Sequence, residues 1–147
     1  MSQSALQLER CFFVKVHIDA MRQCAPVAQS TVQTKLEVAK DNQEANRYLV
    51  SLTVTLAAAE GQLPPYVGEV VVLGFFRVHP QTPPKKQNDW VAVNGASILY
   101  GVAREMMVNV TARGPWPAVA LPCVNFNAPA LGSTPRPDTP PAVTTEK

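Results

Sequence analysis

The chain has 147 residues, 46% of them hydrophobic, and its 13 basic and 11 acidic groups leave a net charge of +2. That length suits one compact domain with a real core and excludes two of ordinary size. Acids and bases are interspersed, with no clustered basic face to neutralise phosphates, which argues against nucleic acid as a partner.

The chain starts Met1-Ser2-Gln3-Ser4-Ala5-Leu6, without the basic and apolar blocks of a secretory signal, so the expected location is cytoplasmic. Leu6, Leu8, Phe12, Val14, Val16 and Ile18 then fall on even positions, with Gln7, Glu9, Lys15, His17 and Asp19 between them. A period of two predicts a half-buried strand. Arg10 breaks the apolar row and Phe13 the polar one. Residues 32–38 repeat the pattern with Val32, Leu36 and Val38 against Gln33, Lys35 and Glu37. A polar turn over 41–46 follows. Tyr48, Val50, Leu52, Val54 and Leu56 alternate against Ser51, Thr53 and Thr55, the clearest strand of the chain.

Gly61 and Pro64-Pro65 mark the turn into residues 67–78, VGEVVVLGFFRV, which are apolar on both faces. A strand covered on both sides reads this way. Four strands with short polar links predict an antiparallel sheet, its second apolar face covered by another subunit or by a helix of the same chain.

The proline-rich link 79–86 separates the strands from a change of period. Ile98, Val102, Met106 and Val110 recur every four residues, beside Leu99, Ala103 and Met107. This broad apolar face predicts a helix, with Met106 and Met107 serving core or subunit packing. Arg113-Gly114-Pro115 reads as its stop: a basic last turn, a glycine, then proline. From Pro129 onward five prolines and few large apolar side chains predict a disordered tail over 129–147, after a folded body over 5–128. No apolar run approaches the roughly 20 residues of a spanning helix, so no direct membrane insertion is expected.

Catalytic and metal motifs are absent from the sequence, and neither enzyme activity nor a cofactor is expected. His17 lies on a polar strand face and His79 in a proline-rich turn. Cys11, Cys24 and Cys123 are an odd number without a C-x-x-C pair, which reads as three reduced thiols packed as small apolar side chains. A nucleophilic pair of Cys11 and His17 has nothing to support it, and Glu9 and Asp19 lie too far apart along a strand for paired acid–base work.

Residues 94–127 read NGASILYGVAREMMVNVTARGPWPAVALPCVNFN. The order and spacing of Ile98-Leu99, Ala103-Arg104-Glu105, Arg113-Gly114, Trp116-Pro117 and Val124-Asn125-Phe126 resemble the SecB family of protein-export chaperones. Residues 50–56 (VSLTVTL) and Gly68-Glu69-Val70 are similar to the family's third and fourth strands, so the likeness covers roughly residues 6–128. The resemblance implies an α+β fold: a four-stranded antiparallel sheet with a long C-terminal helix packed on it. It implies four chains assembled as a dimer of dimers, which hold unfolded precursor proteins without ATP in apolar grooves and deliver them to the SecA motor. Leu36, Val38, Phe75, Phe76, Trp116 and Phe126 are the groove candidates, each of which also suits the subunit's own core. Asp19 and Glu69 match two carboxylates of the SecA-docking face, where Lys15 stands in place of a further acid and is expected to weaken docking. Asn127 leads into Ala-Pro-Ala-Leu-Gly and the prolines, so the family's last helix is expected to be shortened or absent. These departures make room for a chaperone dedicated to one client, such as an antitoxin. A small ligand-binding subunit or enzyme is the remote alternative.

Overall fold

The structure, a computed structural model, describes residues 5–24 and 30–126. The tail over 129–147 and the expected loss of a last helix lie outside the described residues. Four strands are followed by one helix: β1 (Leu6–Ala20), β2 (Ser30–Lys40), β3 (Arg47–Ala58), β4 (Tyr66–Val78) and α1 (Pro84–Thr111). The strands form one antiparallel sheet in the order β1-β4-β3-β2, so β3 and β4 are central and β1 and β2 are the edges. The sheet and the helix packed on it are those expected from the sequence.

Alternation decides which face the helix covers. Tyr48, Val50, Leu52, Val54 and Leu56 of β3 pair across the ladder with Phe76, Gly74, Val72, Val70 and Gly68 of β4, and both rows point to α1. Their side chains are buried with Leu99, Ala103 and Met107 of the helix. Gly74 leaves the space this needs, since a Cβ there would stand 2.9 Å from the Leu99 side chain and 2.7 Å from the ring of Phe76. The opposite face of the sheet has no helix over it among the described residues.

Two findings differ from the simple alternation. In β1 the register shifts between Leu8 and Arg10 and again between Phe13 and Lys15. Glu9 and Val14 are the extra residues of two bulges, and each bulge reverses the side to which later residues point. Cys11 and Phe13 therefore turn to the helix side, packed against the core, while Phe12 moves to the open face beside Phe75. The breaks at Arg10 and Phe13 in the sequence pattern are the trace of these bulges. Cys11 and His17 consequently lie on opposite faces of β1 and form no pair.

The helix also differs. It begins at Pro84, inside the proline-rich link, because proline is tolerated in a first turn whose N–H has no intrahelical partner. Its buried row is Leu99, Ala103 and Met107, while Ile98 is exposed and Val102 and Met106 are half-buried. It ends at Thr111 with no basic residue in its last turn, and Ala112 caps it in a right-handed conformation. Gly114 is required for contact and not as a left-handed stop: a Cβ there would lie 2.2 Å from the Tyr66 hydroxyl. Of the cysteines, Cys11 and Cys24 are half-buried and Cys123 is exposed, all three as free thiols.

Phe76 sits at the centre of this packing and is fully buried. Phe76→Ala is expected to destabilise the subunit by about 3–5 kcal/mol, through lost transfer energy and the cavity left behind. Urea unfolding followed by circular dichroism measures it. A change below about 1 kcal/mol would contradict this placement of the core.

Candidate functional site

The helix lies chiefly over β4 and β3 and reaches the edge strand β2 less fully. On β2, Val32, Leu36 and Val38 point to the helix side, opposite Leu56, Leu52 and Val50. All three are only half-buried, packed against the rim of the core. They form an apolar strip along a strand with no neighbour on its other side among the described residues. Of the six groove candidates, Leu36 and Val38 are the two the fold brings together here.

The other four lie elsewhere. Phe76 is inside the core. Phe75 is on the open face of the sheet, under the Arg47 guanidinium at 4.6 Å and 6.3 Å from the ring of Phe12. Trp116 and Phe126 belong to the segment that runs back along α1 after its end. Phe126 is buried edge-on against Tyr100, ring centroids 5.7 Å apart. The Tyr100 hydroxyl donates to the Pro122 carbonyl at 2.5 Å.

Trp116 is held by a polar clasp. Its indole N–H donates to the Met21 carbonyl at 2.7 Å, just beyond the end of β1. Its backbone N–H donates to the Tyr66 hydroxyl at 3.1 Å, and that hydroxyl lies 3.0 Å from the carbonyl oxygens of both Thr111 and Trp116. Thr111 Oγ1 donates to the Met107 carbonyl at 2.6 Å and accepts the Val119 N–H at 2.9 Å. The clasp satisfies the helix's last carbonyls and straps the returning segment to the sheet. Tyr66 is its hub, the first residue of β4 and one position before the apolar run read as a strand in the sequence.

The open face carries charge in paired form. Glu69 forms an ion pair with Lys15. Asp19 Oδ2 lies 2.9 Å from His17 Nε2. Lys35 and Glu37 pair at 3.1 Å along β2. At the far end Arg47 and Arg77 stand directly opposite one another in the ladder, an arrangement that repels unless neutralised. Glu9 supplies the anion between them, 2.5 Å from Arg77 Nε and 3.0 Å from Arg47 Nε, and the bulge in β1 brings it there. Glu44 pairs with Arg77 at 2.6 Å, and Asp41 with Arg47 at 3.5 Å. Asp19 and Glu69 both lie on this face, and both already have cationic or imidazole partners.

The hydrogen bond from Arg77 holds the Glu9 carboxyl below its ordinary range, with the charge of Arg77 and then of Arg47 adding to it against some desolvation. Asp41 is lowered chiefly by the Gln43 N–H. Desolvation raises the Cys11 thiol. Among the described residues no group of three or more His, Cys, Asp or Glu is placed to hold a metal ion, and no helix is long and apolar enough to cross a membrane.

The subunit has the fold of a SecB-like chaperone. A solved structure of a Mycobacterium tuberculosis SecB-like chaperone, in complex with a ChAD peptide from an antitoxin, matches with a TM-score of 0.64 at 17% identity, over 82% of this chain and 91% of that one. The model of the family described as preprotein translocase subunit SecB matches residues 2–129, and the chain belongs to the SecB family, one of chaperones and not of enzymes. Protein-export proteins SecB from two strains of Acidithiobacillus ferrooxidans are 35% identical over 79 residues, 54% of this chain. The chain spans about half the length of these curated relatives, 52%.

Two outcomes test this geometry. Because folding lowers the Glu9 and Asp41 pKa values, their contribution is present above the ordinary carboxylate range and lost as pH falls through the lowered values. Stability is therefore expected to drop on acidification below the ordinary range, and Arg77→Met should flatten that drop; unchanged pH dependence would contradict the pairing. Trp116→Phe, which keeps the ring and removes the N–H, should cost about 1–3 kcal/mol in urea unfolding because the Met21 carbonyl loses its donor.

Proposed function

We propose that this chain is an ATP-independent holding chaperone, acting in the cytoplasm on unfolded precursor proteins through the apolar strip of Val32, Leu36 and Val38. The observation that carries the reading is this half-covered strip on an edge strand, in a chain of the SecB family. An extended client gains about 25 cal/mol for each Å² of apolar surface it buries there, and the force is non-directional, so sequence preference is loose. Trp116 and Phe126 fix the segment that returns along α1.

Delivery to SecA follows from the family's role, and Asp19 and Glu69 are its proposed docking residues. The ion pair of Lys15 with Glu69 favours a second reading, a chaperone dedicated to one client such as an antitoxin, with a reduced need for the motor. A basic partner must displace Lys15 before it reaches Glu69. Four chains as a dimer of dimers are the proposed assembly. The exposed apolar Val14 and Val16 of edge strand β1 support association there, and an open edge of 15 residues otherwise invites aggregation.

The test is dilution of a slow-folding preprotein out of urea with this protein present and no ATP, followed by light scattering. Stoichiometric suppression of aggregation is expected, and the double variant Leu36→Asp, Val38→Asp, if folded by circular dichroism, should lose it. Suppression unaffected by that variant would remove the strip from the mechanism. Lys15→Glu should strengthen binding to SecA by about fivefold at most, the scale of one exposed ion pair. Solution mass decides the assembly: a particle near 15.9 kDa would exclude it.

A further inference from the structure

The face of the sheet away from α1 carries a row of side chains that crosses all four strands. Arg10 of β1 stands opposite Phe75 of β4, Phe75 opposite Leu49 of β3, and Leu49 opposite Ala39 of β2. Phe12 and Leu73, opposite one another, widen the apolar part of the row on one side. Phe12, Leu73, Phe75 and Leu49 are each half-buried. At the β2 end the row opens into a cleft of about 360 Å³, walled by Phe75, Leu49, Ala39, Lys40 and Asn42.

Charge at this end of the face does not balance. Glu9 and Glu44 are taken by Arg77, Glu9 and Asp41 by Arg47, and Glu37 by Lys35. Two cations are left over. Arg10 has no carboxylate partner among the described residues, and its guanidinium rests 5.0 Å from the centre of the Phe12 ring. Lys40, the last residue of β2, has no carboxylate partner among them either. Both residues are exposed.

We propose that this row docks an extended segment of a partner protein that carries carboxylates at positions i and i+4 and an aromatic or large aliphatic side chain at i+2. The carboxylates meet Arg10 and Lys40, and the apolar side chain between them packs on Phe75 and Leu49. Charge complementarity selects the acids, because the leftover charge at this end is positive at both ends of the row. Spacing selects the extended form. β1 and β2 are three strand separations apart, about 14 Å. Four residue steps of extended chain cover about 13 Å, and i, i+2 and i+4 then point to one side. A helix needs about nine residues for the same span, two and a half turns, which carries the second carboxylate to the opposite side. Arginine beside aromatic rings is also the composition in which binding energy concentrates at interfaces. The row lies on the other face of the sheet from Val32, Leu36 and Val38, so it does not depend on the client strip.

The probe is the peptide Gly-Ser-Asp-Ser-Phe-Ser-Asp-Ser-Gly with 4-fluorophenylalanine at its centre, titrated with the full-length protein and followed by ¹⁹F NMR, which reads weak complexes. A saturable shift is expected. Arg10→Gln and Lys40→Gln, checked for folding by circular dichroism, should each weaken binding about two- to fivefold, the scale of an exposed ion pair. A peptide of the same composition with both aspartates ahead of the phenylalanine should weaken by a similar factor. Leu36→Asp combined with Val38→Asp should leave peptide binding unchanged. Absence of a saturable shift overturns the proposal, as does binding indifferent to Arg10→Gln and Lys40→Gln or to the order of residues in the peptide. Displacement of the peptide by oligothymidylate at equal or lower concentration would assign the row to nucleic acid. A solution mass reduced by Arg10→Gln would assign it to a second copy, and either result overturns the proposal.

Discussion

A sheet of four strands has two faces, and among the described residues this chain has one helix with which to cover them. Leu99, Ala103 and Met107 commit that helix to the middle of one face, over β3 and β4, where Gly74 lets it come close. Everything else in the subunit is arranged around that commitment. The rim at β2 stays half-covered because a single helix is about 10 Å across while neighbouring strands stand about 4.8 Å apart. A helix of this width centred on two strands leaves an outer strand partly exposed. Val32, Leu36 and Val38 are apolar at that rim, and their incomplete burial is a consequence of width before it is a property of any one residue.

Polar contacts then fix what apolar packing leaves free to slide. At one end of α1 the buried Gln87 accepts from the Tyr48 hydroxyl at 3.1 Å and donates to Asn46 Oδ1 at 3.2 Å and the Thr82 carbonyl at 2.9 Å. That ties the helix start to the β2–β3 turn, where Asn46 takes a left-handed conformation with φ of 64°. At the other end Tyr66 and Thr111 tie the helix stop to the returning segment. Gln87, Tyr48, Tyr66 and Thr111 are buried and would be costly if unpartnered, so each specifies position more strongly than its modest net energy suggests. The helix is clamped at both ends by hydrogen bonds and pressed in the middle by apolar contact.

The sheet, its four strands and the helix were legible because period two and the helical repeat both survive in the raw pattern. The phase of each element was less so. In β1, Arg10 and Phe13 disturb the alternation, yet a disturbance reads equally as noise until a bulge is seen to convert it into a change of face. In α1, the rows through Ile98 and Leu99 are adjacent and similarly apolar, and the contact with Gly74 and Phe76 chooses Leu99. The candidate site divides along the same line. Leu36 and Val38 were recoverable because a clean alternation placed them on one face. Phe75 and Phe76 are consecutive and necessarily point to opposite sides, so at most one could join a given groove. Tyr66 escaped notice because its role depends on a Gly114 contact across 48 positions, which no local pattern encodes.

The open face shows how the same sequence economy shapes interaction. Arg47 and Arg77 oppose each other in the ladder and would repel, and the bulge that displaces Glu9 is what brings a carboxylate between them. Lys15, the residue after the second bulge, comes to Glu69 in the same way. The two irregularities that disturb the strand pattern are thus the features that neutralise this face. A surface whose carboxylates are already engaged exerts little long-range pull on a basic partner, and it resists salt less through strength than through having little left to screen. Attraction of a basic partner by charge is therefore spent within the subunit, and the apolar rim of β2 and the exposed Leu8, Val14 and Val16 of β1 are left as surfaces with apolar area to offer a partner. That distribution suits a proposed holder of clients chosen by exposed apolar chain, because burial there requires no matching charge on the client.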